Sequence, residues 1–461
     1  MLRLLAASLL IAPSIQAQAK PLAVINGQLV DMVGERPYRA TLFIRAGRIE
    51  RVAPPDTPIP RDVDTLDASG AWIIPGLWDM HAHIWDRRLL FPMYVSYGIT
   101  GVRDMGTTLR SWLGWRDSVS RGLLDGPHGV IAGVIVDGLP PFANSYVQVK
   151  SADEGRATVL DLKARGVDFI KVYDRLTRDA YLAIARTARA ESVPIAGHLP
   201  PTITLLEAIA AGQRSIEHLT SIAPACSAAG AAVAAEAARG LDSVRSLDFT
   251  RDSTLRPRVI AALGPYYEKS RSRAFDACDV ARGVPTLVRA LRDGGTWITP
   301  TLVLAAHSLF DDLRAEDSLR AKLPGWAAGM TRVYQPNAAD SGRARERLDR
   351  ILATMRELRR GGVRMLIGSD APNPGSLPGI GLHRELELFV KSGYSPYEAL
   401  RIATRDAAEF AGALDSVGTI QAGRLADLVL LGANPLDDIR NTRRIRAVLL
   451  QGRVLTTSTQ D

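Results

Sequence analysis

The chain has 461 residues, more than one average domain, and its 46% apolar and 23% charged content excludes a disordered or fibrous protein. Its net charge of +8 raises the question of nucleic acid. The arginines are scattered among acids, with only short clusters such as "RNTRRIR", so the excess reads as a solvated surface and no nucleic-acid partner is expected.

In chain order, "MLRLLAASLLIAPSIQAQAK" comes first. A basic start, a short apolar run and the ending Ala17-Gln18-Ala19 form the pattern of a secretory signal peptide over residues 1–19. The run is too short to span a bilayer, and no cysteine follows to carry a lipid, so no stable membrane anchor is expected. The mature chain then starts near Lys20, in a periplasm or outside the cell. The only two cysteines, Cys226 and Cys278, can form one disulfide in that compartment; two buried free thiols are the alternative.

Residues 20–75 alternate apolar and polar positions between turn signals, as in "YRATLFIRAGRIERVAP", and residues 413–461 have the same texture in "GRLADLVLLGANP". Both read as short antiparallel strands that can pair into one small β-sandwich. Between them, residues 76–412 alternate apolar strands with amphipathic helical stretches, the pattern of βα units around a parallel sheet. The expected strands are 77–83, 101–104, 130–136, 168–173, 194–199, 215–219, 297–302 and 365–370. Eight such strands predict an α/β fold of the (β/α)8 barrel type, with helical insertions around 221–295 and 303–360.

The ends of these strands carry the polar residues. "LWDMHAH" ends the first with His81 and His83, which share one strand face because side chains alternate. His198 ends the fifth in "VPIAGHL", His218 the sixth in "SIEHL", and Asp370 the eighth in "MLIGSD". A lone buried histidine is usually a hydrogen-bonded core residue. Four of the seven histidines at strand ends, with an aspartate, point instead to a metal site. Lys171 is odder: it sits inside the apolar strand "DFIKVYD" and is one of only seven lysines. Taken alone it reads as an outward-pointing or carboxylate-paired side chain.

"PGLWDMHAH", the strand lysine, "GHLP", "IEHL" and "GSD" fall in the order seen in the amidohydrolase superfamily. With "YGITGVRDMG" and "GTIQAGRLADLVLLGANPL", the chain resembles the prolidase-like branch, also called imidazolonepropionase-like, over essentially its whole mature length. The resemblance implies a barrel with a flanking β-sandwich, a binuclear metal centre with two divalent ions such as zinc, and hydrolysis of an amide bond. It also implies that Lys171 reacts with carbon dioxide to form a carbamate, an anion able to bridge two cations. On this pattern His81, His83 and Asp370 hold one metal, His198 and His218 hold the other, and carbamylated Lys171 joins them. Asp370 would also shuttle a proton.

Other polar residues carry weaker readings. Tyr173 and Arg175, just past Lys171, are candidates for a substrate carboxylate. His128, His307 and His383 read as structural, and Arg103–Asp104 as a structural ion pair. The expected substrate is a small amide, either a dipeptide or an N-acyl amino acid. A cyclic amide or a deamination substrate on the same scaffold is the alternative, and a non-catalytic metal-binding barrel is a reading of another class. A homo-oligomer is compatible with the sequence.

Overall fold

The computed structural model describes residues 20–455, apart from 108, 141, 142 and 144 and most of 246–275 and 307–337. The expected signal segment 1–19 and His307 lie outside the described residues.

The two ends of the chain do meet. Leu22–Ile25, Thr41–Arg45, Arg48–Ala53 and Asp64–Asp67 form a four-stranded sheet. In a second sheet of six strands, N-terminal Trp72–Pro75 pairs antiparallel with C-terminal Leu428–Leu431, and Ile445–Leu450 lies beyond it. Period-two patterning explains the packing, because alternate residues of a strand face the same side. Val24, Leu42 and Ile44 of the first sheet share one buried apolar cluster with Ile73, Leu428, Leu430 and Leu449 of the second.

The parallel strands of the middle form two sheets instead of one continuous sheet. Leu77–Ala82, Ile99–Asp104 and His128–Ile131 make a sheet of three. Ile135–Asp137, Ile170–Val172, Ile195–Gly197, Ser215–Glu217 and Trp297–Thr299, with the short edge strand Val147–Gln148, make a sheet of six. The expected third strand, 130–136, is therefore broken in two, and Gly133 with φ +76° lies in the break. The expected eighth, 365–370, forms no regular strand, and it ends at Asp370 with φ +56°, a left-handed conformation that a strand does not tolerate.

Hydrogen bonds nevertheless cross both gaps. Leu366 N donates to Ile298 O at 2.8 Å and Met80 N to Ile367 O at 2.9 Å, and across the other gap Asp168 N donates to Ile131 O at 2.9 Å. Gly368 allows this close approach: a Cβ there would stand 2.6 Å from His81 N.

Capped helices connect the strands. Ala152–Ala164 begins at Ser151, whose side chain accepts from Glu154 N, and carries Asp153 and Glu154 in its first turn, where the helix dipole favours acids. Leu205–Ala210 begins with a full capping box between Thr204 and Glu207. After Ser215–Glu217 the expected insertion contains the helices Ile222–Ala225, Gly230–Arg245 and Val280–Asp293. No described helix is long and apolar enough to cross a membrane.

Cys226 and Cys278 are disulfide-bonded within this insertion, with Cα atoms 5.1 Å apart across a separation of 52 residues. Closing a loop of that length removes about 4 kcal/mol of denatured-state entropy in the chain-entropy model. Replacing both cysteines by serine is expected to lower stability by about that amount, read from urea unfolding against the oxidised protein. A change below about 1 kcal/mol would mean that the insertion unfolds apart from the rest.

Candidate metal centre

Strand ends bring His81, His83, Lys171, His198, His218 and Asp370 toward one region. His81 Nε2 lies 3.3 Å and His83 Nε2 3.1 Å from Asp370 Oδ1, and His218 Nε2 lies 3.8 Å from Asp370 Oδ2. His198 and His218 face each other with their Nε2 atoms 3.1 Å apart. His81, His83 and Asp370 form a group whose ligand atoms all lie within 4.8 Å of one another.

The other nitrogen of each ring decides what these atoms can do. His81 Nδ1 is 2.9 Å from the Glu217 carboxylate, His83 Nδ1 3.0 Å from Gly106 O, and His198 Nδ1 3.0 Å from Asp174 Oδ1. His218 Nδ1 is 2.5 Å from Thr301 Oγ1, whose own proton goes to Pro300 O. Each of these oxygens accepts, so each Nδ1 carries the ring proton and each Nε2 presents a lone pair. Two of those lone pairs face Asp370 Oδ1, a buried oxygen that receives no hydrogen bond. Two others face each other. Lone pairs and an orphaned carboxylate oxygen repel unless positive charge lies among them, so the donor set fits divalent metal ions.

The electrostatics agree at His81, His218 and Asp370, whereas the pull of Asp370 on His83 favours a second ring proton there unless a metal ion takes that position. Burial holds His81 well below its ordinary pKa, and burial together with the nearby His198 lowers His218 to about 3. For Asp370, burial pushes upward, but the His81, His83 and His218 rings outweigh it and hold the carboxyl far below its usual range. At His83, Asp370 outweighs burial and raises the pKa.

Lys171 does not point outward: it is 1% exposed. Burial brings its ammonium down to about 8, against the opposing pull of Glu217 and Asp370. Gly197, with φ +130°, lies beside it on the next strand, where a Cβ would stand 2.1 Å from Val172 O and 3.1 Å from Lys171 Cδ.

Beneath the histidines lies a buried ion pair. Arg103 Nη2 donates to both Glu217 oxygens at 2.9 and 2.8 Å, Nη1 to Ser215 Oγ at 2.7 Å, and Nε to Met80 O at 2.7 Å. The expected partner of Arg103 was Asp104, but Asp104 instead accepts from Ile84 N and Thr107 Oγ1. Neighbouring strand residues point to opposite faces, so an adjacent pair is the wrong geometry. Glu217 ends the buried strand Ser215–Glu217 and meets both Arg103 and His81. His218 follows it outside the strand with φ +64°, so alternation does not send the two side chains to opposite faces. Asp174 and Thr301 were missed because strand ends and loops have no fixed period.

The remaining candidates divide. Tyr173 stacks on His198 with ring centroids 4.2 Å apart. Arg175 is 5% exposed, and its Nη1 donates to Pro140 O at 2.6 Å. His128 pairs with Asp427 at 2.7 Å, and His383 bonds Thr442 and Tyr97, both away from the strand-end cluster.

Residues 72–455 match the model of the amidohydrolase family. The chain belongs to that family. It is a hydrolase acting on carbon–nitrogen bonds, in a family that usually binds divalent metals. An imidazolonepropionase from Pseudomonas putida is 26% identical over 409 residues, covering 85% of this amidohydrolase and 86% of that protein. Among solved structures, a bottromycin amidohydrolase superposes with a TM-score of 0.66 at 23% identity, over 95% of this chain and 87% of that one. A Xaa-Pro dipeptidase with methionine bound in its active site gives 0.64 at 19% identity, over 95% and 100%. At these identities the two structures show a shared fold of mixed α and β content.

Because Glu217 is the only carboxylate bonded to Arg103 among the described residues, Glu217→Gln leaves a buried charge uncompensated. The expected loss is about 3–5 kcal/mol, measured by urea unfolding near pH 7. Burial raises the Glu217 pKa, but Arg103 and Lys171 outweigh it and leave the carboxyl below its ordinary value. Its contribution is therefore present above the unfolded pKa and lost as pH falls through the lower folded one, so wild type and variant should converge in acid.

Proposed function

We propose that this amidohydrolase cleaves the amide bond of a dipeptide or N-acyl amino acid, using two divalent ions of which zinc is the first candidate. The observation that carries this reading is a set of four imidazole lone pairs, two turned on a buried Asp370 oxygen that receives no hydrogen bond and two turned on each other. On this reading His81, His83 and Asp370 hold one ion and His198 and His218 the other. Lys171 supplies the anion between them as a carbamate: its neutral amine attacks carbon dioxide, a nitrogen–carbon bond forms and a proton leaves. Burial supports this step, because only the neutral amine reacts and burial favours it. Such ions, when bound, acidify a water and polarise a carbonyl. Asp370 is the residue that would accept that water's proton and return it to the leaving amine. Tyr173 and Arg175 remain candidates for the substrate's carboxylate.

The two parallel sheets are taken as parts of one eight-stranded barrel over residues 76–412, on the support of the bonds across both gaps. The paired terminal sheets, residues 20–75 and 413–461, are taken as its β-sandwich companion, with their shared apolar cluster as support. A second reading, opening of a cyclic amide, is favoured by the imidazolonepropionase likeness. Product mass separates the two: ring opening adds one water to a single product, whereas dipeptide cleavage releases two.

Screening metal-loaded protein against dipeptides, N-acyl amino acids and cyclic amides tests the function. Asp370→Asn is expected to lower kcat by about 10²- to 10⁴-fold, with a smaller loss of bound metal. Lys171→Ala is expected to lose metal and activity together, and short carboxylic acids should partly restore turnover by filling the space. Full activity in Lys171→Ala, with two ions bound, would remove the carbamate.

Export is proposed on the leader-like residues 1–19 and is supported by the Cys226–Cys278 bond, which suits an oxidising compartment. N-terminal sequencing of protein from the native compartment is expected to start near Lys20. Retention of Met1 in mature protein would overturn export.

A further inference from the structure

A cavity of about 380 Å³ opens beside the His198 and His218 ends of their strands. Three of its lining residues tie it to the candidate centre. Asp174 holds His198 Nδ1, Leu199 follows His198 directly, and Thr220 lies two residues beyond His218. The remaining wall is mostly apolar, with Thr204, Ser221 and Ser227 as its uncharged polar points. Ile203 and Leu205 supply one side, and Val233, Ala234 and Ala237 of the helix Gly230–Arg245 supply the other. Those three helix residues sit at i, i+1 and i+4, so they share one face. The short side chains of Ala234 and Ala237 keep space open. Among the described residues Asp174 is the only ionisable group in the lining.

We propose that this cavity is the specificity subsite of the enzyme and takes an uncharged apolar group, aliphatic or aromatic, attached next to the scissile amide. The assignment rests on the amide-hydrolase reading above and extends it to one class of substrate. Three physical points carry it. An apolar wall gains from burying apolar surface, at about 25 cal/mol per Å². An anionic substituent would lose its water with no cation among the described lining residues to meet it, and would face Asp174. Size also matters: a cavity of about 150 Å³ already holds a benzene ring, so 380 Å³ accommodates a two-ring group.

The disulfide bears on the same wall. Cys226 ends the short helix Ile222–Ala225, whose Pro224 and Ala225 line the cavity. Cys278 adjoins Asp279, the cap of Val280–Asp293, whose Leu287 also lines it. The bond therefore holds two wall segments at a fixed separation.

The test uses metal-loaded full-length protein and the acetyl, phenylacetyl, 2-naphthylacetyl and succinyl amides of p-nitroaniline. The naphthylacetyl amide is expected to exceed the acetyl amide in kcat/KM by roughly tenfold or more, and the succinyl amide should fall below both. Ala234→Trp and the milder Ala234→Leu, each checked for an unchanged circular dichroism spectrum, should shrink the naphthylacetyl-to-acetyl ratio in order of side-chain volume. A ratio near one in wild type, or one that neither variant moves, overturns the subsite. If no anilide is cleaved, calorimetric titration with 2-naphthylacetamide separates the two readings. Binding to wild type that weakens roughly tenfold in Ala234→Trp keeps the subsite and refutes the hydrolase reading for these amides. Binding that is absent, or equal in both proteins, overturns the subsite itself.

Discussion

The buried pair of Arg103 and Glu217 is the constraint on which the centre depends. Both side chains are fully buried, and such a pair is tolerated only when every remaining donor and acceptor is met. Here the guanidinium reaches Met80 O, Ser215 Oγ, Thr299 Oγ1 and both Glu217 oxygens. One side chain thus ties four strands together: Leu77–Ala82, Ile99–Asp104, Ser215–Glu217 and Trp297–Thr299. Glu217 also accepts from Ser215 Oγ and from His81 Nδ1, so the ring orientation of a proposed ligand is fixed by an ion pair that never meets substrate. Asp79 acts similarly on the other side, accepting from Ser369 N at 2.9 Å and from His81 N at 3.1 Å. It holds the segment that carries Asp370 against the strand that carries His81.

This rigidity has a cost in backbone conformation. His218, Thr301 and Asp370 all have positive φ, at 64°, 47° and 56°. For a β-branched residue such as Thr301 that is a clear outlier, and each such residue costs on the order of 1–3 kcal/mol. The three are linked: Thr301 Oγ1 accepts from His218 Nδ1, and His218 faces Asp370. The turns at the strand ends redirect side chains that a regular strand would send elsewhere. The eighth segment accordingly gives up strand geometry at the point where it delivers Asp370.

Much of this was legible in the sequence, and the failures have physical causes. The histidines, Lys171 and Asp370 stand out because polar residues at the ends of apolar strands are rare without a purpose. The terminal β segments were legible from period-two alternation, which does not depend on distant contacts. Their pairing needed only the closeness of chain ends. The partners of the ligand residues were less visible. Asp174 and Thr301 reach their imidazoles through loop geometry, which has no period to detect. Arg103 and Asp104 read as a pair because they adjoin in sequence, although the alternation of a strand separates neighbours and brings together residues over a hundred positions apart. The break in the third strand was also missed, since an apolar run with one glycine reads as continuous until backbone conformation is known.

The division between strand ends and insertion explains why the substrate resists reading from the parallel strands alone. The groups proposed to hold metal hang from central strands and are fixed by buried polar contacts, so they can change little without losing one another. The apolar wall comes from the loop after His198 and from the helices between Ile222 and Asp293. These segments contribute no ligand and are held to each other by one covalent bond. Their sequence can vary in volume and polarity at little cost to the centre, because among the described residues none of the contacts that orient the imidazoles passes through them; the one cavity residue that makes such a contact, Asp174, follows the strand Ile170–Val172. That residue belongs to both parts: it orients His198 and forms the one charged point of the cavity. A substrate group entering the cavity therefore meets the carboxylate that positions a proposed ligand, which couples what is bound to how the metal-facing ring is held.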